Sequence, residues 1–265
     1  MTNASGNKSG VLRRGVLLGG TAGLAALAYY GWPQVQRLFV GDFQFQPLAE
    51  PTGFRRLGAG DVSQGMNPFF GLDGVGNRQA QEARAAIRAD LCGSLFGEAA
   101  ATGTVPVASF SDYNCPFCRV LTQRLAEIEA ASGGGVRIAW HEWPLLGQVS
   151  EMSARAALAA KRQGAYVNFH KTLMRSRFVP TPAYLRQLAE RLQIDPDRML
   201  ADMESSDVTN EIARSTALAG LFVFPGTPAL VVGRTVVAGA IDVPVLQALI
   251  ERERRDGPIP ACSKA

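Results

Sequence analysis

Two cysteines separated by two residues, Cys115 and Cys118, are the residues in this 265-residue chain whose type and spacing most directly suggest chemistry. Disulfide exchange needs one accessible thiolate and a second thiol close enough to resolve the mixed disulfide. A C-x-x-C at the start of a helix supplies both. Cys115 falls at the helix N-terminus, where free N–H groups and the helix dipole favour a negative sulfur. Cys118 falls one turn in, on the apolar face it shares with Leu121, Leu125 and Ile128. Cys115 is therefore expected to attack and Cys118 to resolve. Pro116 suits the first helical turn, where its missing N–H has no partner to lose.

Half of a zinc knuckle is the competing reading of the pair. No second C-x-x-C exists, because the remaining cysteines are Cys92 and Cys262, and the only histidines are His141 and His170. A Cys2His2 site would need both histidines brought to the pair without the close spacing of fingers. The expectation is thus redox chemistry with no cofactor and no metal. In an oxidising compartment Cys92 and Cys262 are expected to pair with each other, two free thiols being the alternative.

The elements around the pair agree with this placement. Residues 104–110 read as a short strand and the helix after Cys115 stops at Ser132-Gly133-Gly134-Gly135. Residues 136–141 read as a second strand. A long helical section follows, with Ala-rich residues 151–162, a stripe at Leu185, Leu188 and Leu192, an Asp195-Pro196 start, and a last stretch ending at Gly220. Ala229 to Val232, a Gly233-Arg234 turn and Thr235 to Ala238 form a hairpin pattern, after which Asp242 caps a final helix. Ahead of the core, Ala83, Ile87, Leu91 and Leu95 mark a helix over 77–96.

The N-terminus is laid out as an export signal. Lys8, Arg13 and Arg14 precede an uncharged run over 16–32. Arg13-Arg14-Gly15-Val16-Leu17 resembles a twin-arginine signal, the general secretory route being the alternative. The run is also close to the length of a membrane anchor. Residues 33–76, rich in Gly, Pro and Gln, read as a linker or irregular extension; Phe54, Phe69 and Phe70 leave a packed arm as the alternative. Composition excludes other classes. With 47% hydrophobic and 19% charged residues the chain is ordinary globular material. A net charge of +4, with no Lys/Arg run beyond two, offers no nucleic-acid footprint.

The stretch Phe110-Ser111-Asp112-Tyr113-Asn114-Cys115-Pro116-Phe117-Cys118 resembles the active site of DsbA-family thioredoxin-fold proteins, as do Trp143-Pro144-Leu145 and Gly226-Thr227-Pro228. The resemblance covers roughly residues 100–256. It implies an α/β thioredoxin fold with a helical insertion at about 148–220, within a domain spanning 77–265. It further implies that Pro228 is a cis-proline facing the cysteines and that the Thr227 backbone pairs with a client peptide. Clients would be exported cysteine-containing proteins, with a membrane redox partner, in the periplasm or on an outward-facing anchor. Formation or isomerisation of disulfides is the leading expectation; a periplasmic reductant and a non-catalytic chaperone are the alternatives. Two positions depart from the family pattern. Phe117 stands where strong oxidants carry histidine, and Ser109 stands where a family acid lies beneath the cysteines. The nearby acids Asp112 and Glu142 are read as surface or turn residues, with proton transfer as the alternative, and His141 and His170 as packing residues.

Overall fold

The computed structural model describes residues 42–58, 60–65, 78–101, 103–176 and 179–262. The expected export segment, 1–32, lies outside the described residues. Among these residues no helix is long and apolar enough to cross a membrane.

A six-stranded mixed sheet carries the molecule. Its strands are β1 (Gln46–Pro47), β2 (Arg55–Leu57), β3 (Val105–Ser111), β4 (Val136–Glu142), β5 (Ala229–Val232) and β6 (Thr235–Ala238), in the spatial order β1-β2-β6-β5-β3-β4. All seven residues of β3 are buried, as a strand covered on both faces requires. Its side chains alternate between two cores. Ala108 and Phe110 join Phe54, Trp143, Phe222 and Phe224 on one face, while Val105 and Val107 join Leu121, Leu125, Leu246 and Leu249 on the other.

The described helices are α1 (Arg78–Ala89), α2 (Leu91–Phe96), α3 (Pro116–Ala131), α4 (Gln148–Lys161), α5 (Tyr166–Arg175), α6 (Pro182–Arg191), α7 (Pro196–Met203), α8 (Ser206–Leu221) and α9 (Val243–Asp256). The single helix expected over 77–96 is two, because the Asp90 carboxylate accepts from the Gly93 N–H and starts a second helix. The helical block between β4 and β5 is divided by caps, of which Asp195-Pro196 is the one the sequence picks out. Thr181 caps α6, Asp195 caps α7 and Ser205 caps α8, with prolines opening the first two. Its core contains Phe169, Leu173, Leu185 and Met199, and that core extends to Cys115 and Cys118.

Register places the site. β3 runs antiparallel to β5 with Phe110 opposite Ala229, and parallel to β4 with Phe110 opposite His141. The chain leaving β3 toward Cys115 therefore emerges beside the chain entering β5 from Thr227-Pro228.

The described part of 33–76, read as a linker or irregular extension, packs against the sheet. β2 pairs in parallel with β6, Arg55 opposite Thr235, and Phe54 is buried edge-on to Phe222 with ring centroids 5.2 Å apart. Arg55 donates to Glu253 and Asp256 on α9 and to the Thr235 hydroxyl. The packed-arm alternative describes these residues: aromatic burial and part-buried ion pairs hold them against the sheet and α9. Residues 60–65 continue along the ends of β6 and β5, where Gly60 N–H donates to the Ala238 carbonyl and Ala240 N–H to the Asp61 carbonyl.

Cys92 on α2 and Cys262 in the C-terminal tail are joined by a disulfide across 170 residues of chain. Closing so long a loop lowers the entropy of the unfolded state, by up to about 5 kcal/mol in the chain-entropy model. We expect the double substitution Cys92→Ser, Cys262→Ser to lower stability by about 2–5 kcal/mol in urea unfolding. An unchanged unfolding midpoint would contradict this.

Candidate active site

Residues 112–115 form the turn from β3 into α3, and Cys115 is the N-cap of that helix, in extended conformation. Its sulfur takes the place usually held by a Ser or Asp oxygen and accepts the Cys118 N–H at 3.2 Å. Pro116 follows at the first helical position, and Phe117 packs partly buried against the insertion core. Opposite, the Thr227–Pro228 peptide is cis, and the Thr227 carbonyl lies 3.4 Å from the Cys115 sulfur. All six expected residues of the site, Cys115, Pro116, Phe117, Cys118, Thr227 and Pro228, thus gather at one end of β3 and β5.

The environment separates the two thiols. The Cys118 thiol first, with the Ser63 side chain and the Cys118 N–H contributing, lowers Cys115 from its ordinary 9.0 to about 6, against an opposing contribution from burial. Burial, and the neighbouring Cys115 sulfur, push Cys118 well above its ordinary value. At neutral pH this arrangement favours a thiolate on Cys115 with a protonated thiol beside it, the division of labour that exchange requires.

The two acids are buried, not surface residues, each with 1% exposure. Asp112 fixes the turn. One carboxylate oxygen accepts the Asn114 N–H and the Ser150 hydroxyl, both at 2.7 Å; the other accepts the Leu145 and Leu146 N–H groups at 2.6 and 2.9 Å. A carboxylate with four donors stabilises a buried turn because each donor would otherwise be stranded. It thereby ties the turn before Cys115 to the Trp143-Pro144-Leu145 loop and to α4.

Glu142 lies at the end of β4 in a second buried group. The Tyr113 and Tyr166 hydroxyls donate to one of its oxygens at 2.7 and 2.6 Å, and His170 Nδ1 lies 2.7 Å from the Tyr113 oxygen. Burial first, and Glu142 next, push both phenols well above their ordinary range. His141 stacks on Phe110 with centroids 4.5 Å apart, and burial lowers its pKa to about 4. His170 is thus part of the buried hydrogen-bonded group, and His141 Nε2 lies 2.8 Å from the Leu95 carbonyl oxygen. The sequence did not single out Ser63, whose backbone pairs with Thr227 and whose side chain helps lower the Cys115 thiol. A serine in a turn-rich stretch carries no signal of its own, and the pairing is made across 164 residues of chain, from 63 to 227.

Comparison with known proteins agrees with this geometry. Residues 106–251, more than half of the chain, match the model of the DSBA-like thioredoxin domain. A thioredoxin-like oxidoreductase from Silicibacter pomeroyi DSS-3 is 36% identical with a TM-score of 0.57, over 62% of this chain and 98% of that one. A periplasmic thioredoxin-like protein from Salmonella enterica serovar Typhimurium is 25% identical with a TM-score of 0.54, over 62% of this chain and 95% of that one. Among curated relatives, a Na(+)/H(+) antiporter NhaA 3 from Salinispora tropica is 30% identical over 148 residues, 55% of this chain; the chain matches only 22% of that protein's length. The chain belongs to the DSBA-like thioredoxin domain family.

Proposed function

We propose that this protein is a disulfide oxidoreductase that forms or isomerises disulfides in exported proteins, with Cys115 as nucleophile and Cys118 as resolving thiol. The observation that carries the reading is the opposite perturbation of two thiols three residues apart, one capping a helix and one buried in it. In the oxidised state a client thiolate attacks the Cys115 sulfur. The Cys115–Cys118 bond breaks and its electron pair goes to Cys118, which takes a proton. A second client thiolate then attacks the client sulfur of the mixed disulfide and releases Cys115 as thiolate. The client dithiol is oxidised and the cysteine pair reduced by two electrons. The helix N-terminus stabilises the leaving Cys115 thiolate in the second step.

Thr227 and Pro228 are assigned to holding the client backbone by strand addition, since they face the sulfur. The export setting is supported by the basic-then-apolar start of the chain and by the bonded Cys92–Cys262 pair, a linkage characteristic of oxidising compartments. A membrane-bound redox partner would reset the pair. Phe117 contributes no positive charge to the Cys115 thiolate, so the helix end and neighbouring hydrogen bonds supply its stabilisation.

Three measurements test these assignments. Alkylation of the reduced protein should follow a titration with midpoint near pH 6, against the ordinary 9.0. The sign is that of a depressed acid: the thiolate stabilises the reduced fold fully above the unfolded value, and that contribution is lost as pH falls toward 6. A midpoint above 8 would remove the thiolate argument. Cys118→Ser should accumulate mixed disulfides with reducible clients on non-reducing gels, and Cys115→Ser should accumulate none; the reverse pattern would exchange the two roles. Asp112→Asn should cost about 1–3 kcal/mol, because either amide orientation points NH2 at existing donors, and should slow dithiol-driven insulin reduction. Unchanged stability would show that the turn is held by other contacts.

A further inference from the structure

Cys115 is fully buried, which is unexpected for a group that has to meet the cysteines of other proteins. The chain covers it with its own N-terminal arm. Ser63 and Thr227 form an antiparallel bridge, Ser63 N–H donating to the Thr227 carbonyl at 2.7 Å and Thr227 N–H to the Ser63 carbonyl at 2.9 Å. Both backbone groups of Thr227 that would pair with an incoming strand are therefore already taken. The fit is close. A Cβ on Gly226 would run into the Ser63 carbonyl oxygen, and a Cβ on Gly65 would lie 2.7 Å from the Leu145 carbonyl oxygen. Glycine at both positions lets an extended backbone cross the mouth of the site, between the loop before Pro228 and the loop after β4.

We propose that residues 60–65 are an intramolecular pseudosubstrate: they occupy the groove in which an extended client segment pairs with Thr227, and Ser63 stands where the client's cysteine stands. The proposal rests on the reading of Cys115 as the nucleophile. Serine differs from cysteine by one atom, oxygen for sulfur, so it can fill the position without forming the bond. The Thr227 carbonyl that Ser63 pairs with lies 3.4 Å from the Cys115 sulfur, and the Ser63 side chain contributes to lowering that thiol, both in agreement with the placement. Two consequences follow for substrate choice. The client is an extended, cysteine-bearing segment that can supply a backbone N–H and C=O on an antiparallel strand, as an unfolded chain does and a helix or tight turn does not. It must also displace a strap joined directly to β2, and a tethered competitor acts at high effective concentration.

The full chain can be tested in two ways. The first combines Ser63→Cys with Cys118→Ser and adds oxidised glutathione. The Cys115 thiolate attacks glutathione disulfide and displaces one glutathione; the new thiol at position 63 attacks the Cys115 sulfur and displaces the second. Peptide mapping without reduction should find positions 63 and 115 linked in the monomer. Cys115 recovered only as its glutathione adduct, with position 63 free, would overturn the proposal. The second uses Ser63→Pro, which lacks the N–H donated to Thr227. Cys115 in the reduced variant should be alkylated about fivefold faster or more, the factor expected for one backbone hydrogen bond. An unchanged rate would count against the strap even if the linked peptide formed. Insulin reduction by the unaltered chain, run in parallel, reports only on disulfide exchange: its absence would defeat the proposed function and leave the linkage and alkylation results to decide the strap.

Discussion

A sulfur atom used as a helix cap organises this molecule. Cys115 holds the N-cap position of α3 and its sulfur accepts the Cys118 N–H. The cap exists only because β3 ends where it does, and the register of β3 against β5 then sets Thr227-Pro228 opposite the same sulfur. The helix supplies unpaired N–H groups and a favourable dipole to an anion at that point. The buried Cys118 one turn later receives neither. One geometric choice, the point at which a strand becomes a helix, separates two chemically identical side chains.

The remaining elements hold that junction in place. Asp112 binds the turn to the loop after β4 and to the first turn of α4, so the helical insertion is attached to the active-site turn through a buried carboxylate. The core of the insertion includes both cysteines. On the far side of the sheet, the Arg55 contacts with Glu253, Asp256 and Thr235 fix the arm that leads to Ser63. Rigid elements on both sides therefore determine what can reach Cys115.

Much of this was legible in the sequence, for reasons that differ by element. Helices α3, α6 and α7 announce themselves through local signals: a C-x-x-C with proline, the stripe of Leu185, Leu188 and Leu192, and Asp195-Pro196 at the start of α7. The β5–β6 hairpin is likewise local, with Gly233 at its turn in a left-handed conformation. Long-range pairings were not legible. The parallel pairing of β2 with β6 joins residues about 180 positions apart, and nothing in Arg55-Arg56-Leu57 specifies its partner. Burial of Asp112 and Glu142 was also hidden, because a carboxyl group in a turn or at a strand end looks solvated until its donors are placed. The donors for Asp112 come from residues 114, 145, 146 and 150, and those for Glu142 from Tyr113 and Tyr166.

The division of roles between the two thiols is the point on which everything else turns. The most direct measurement is brief alkylation of the fully reduced chain at neutral pH with less than one equivalent of reagent, followed by peptide mapping. The account predicts the label on Cys115, through the fraction of molecules whose sulfur is uncovered, and Cys118 unmodified. Label on Cys118, or equal label on both, would contradict it.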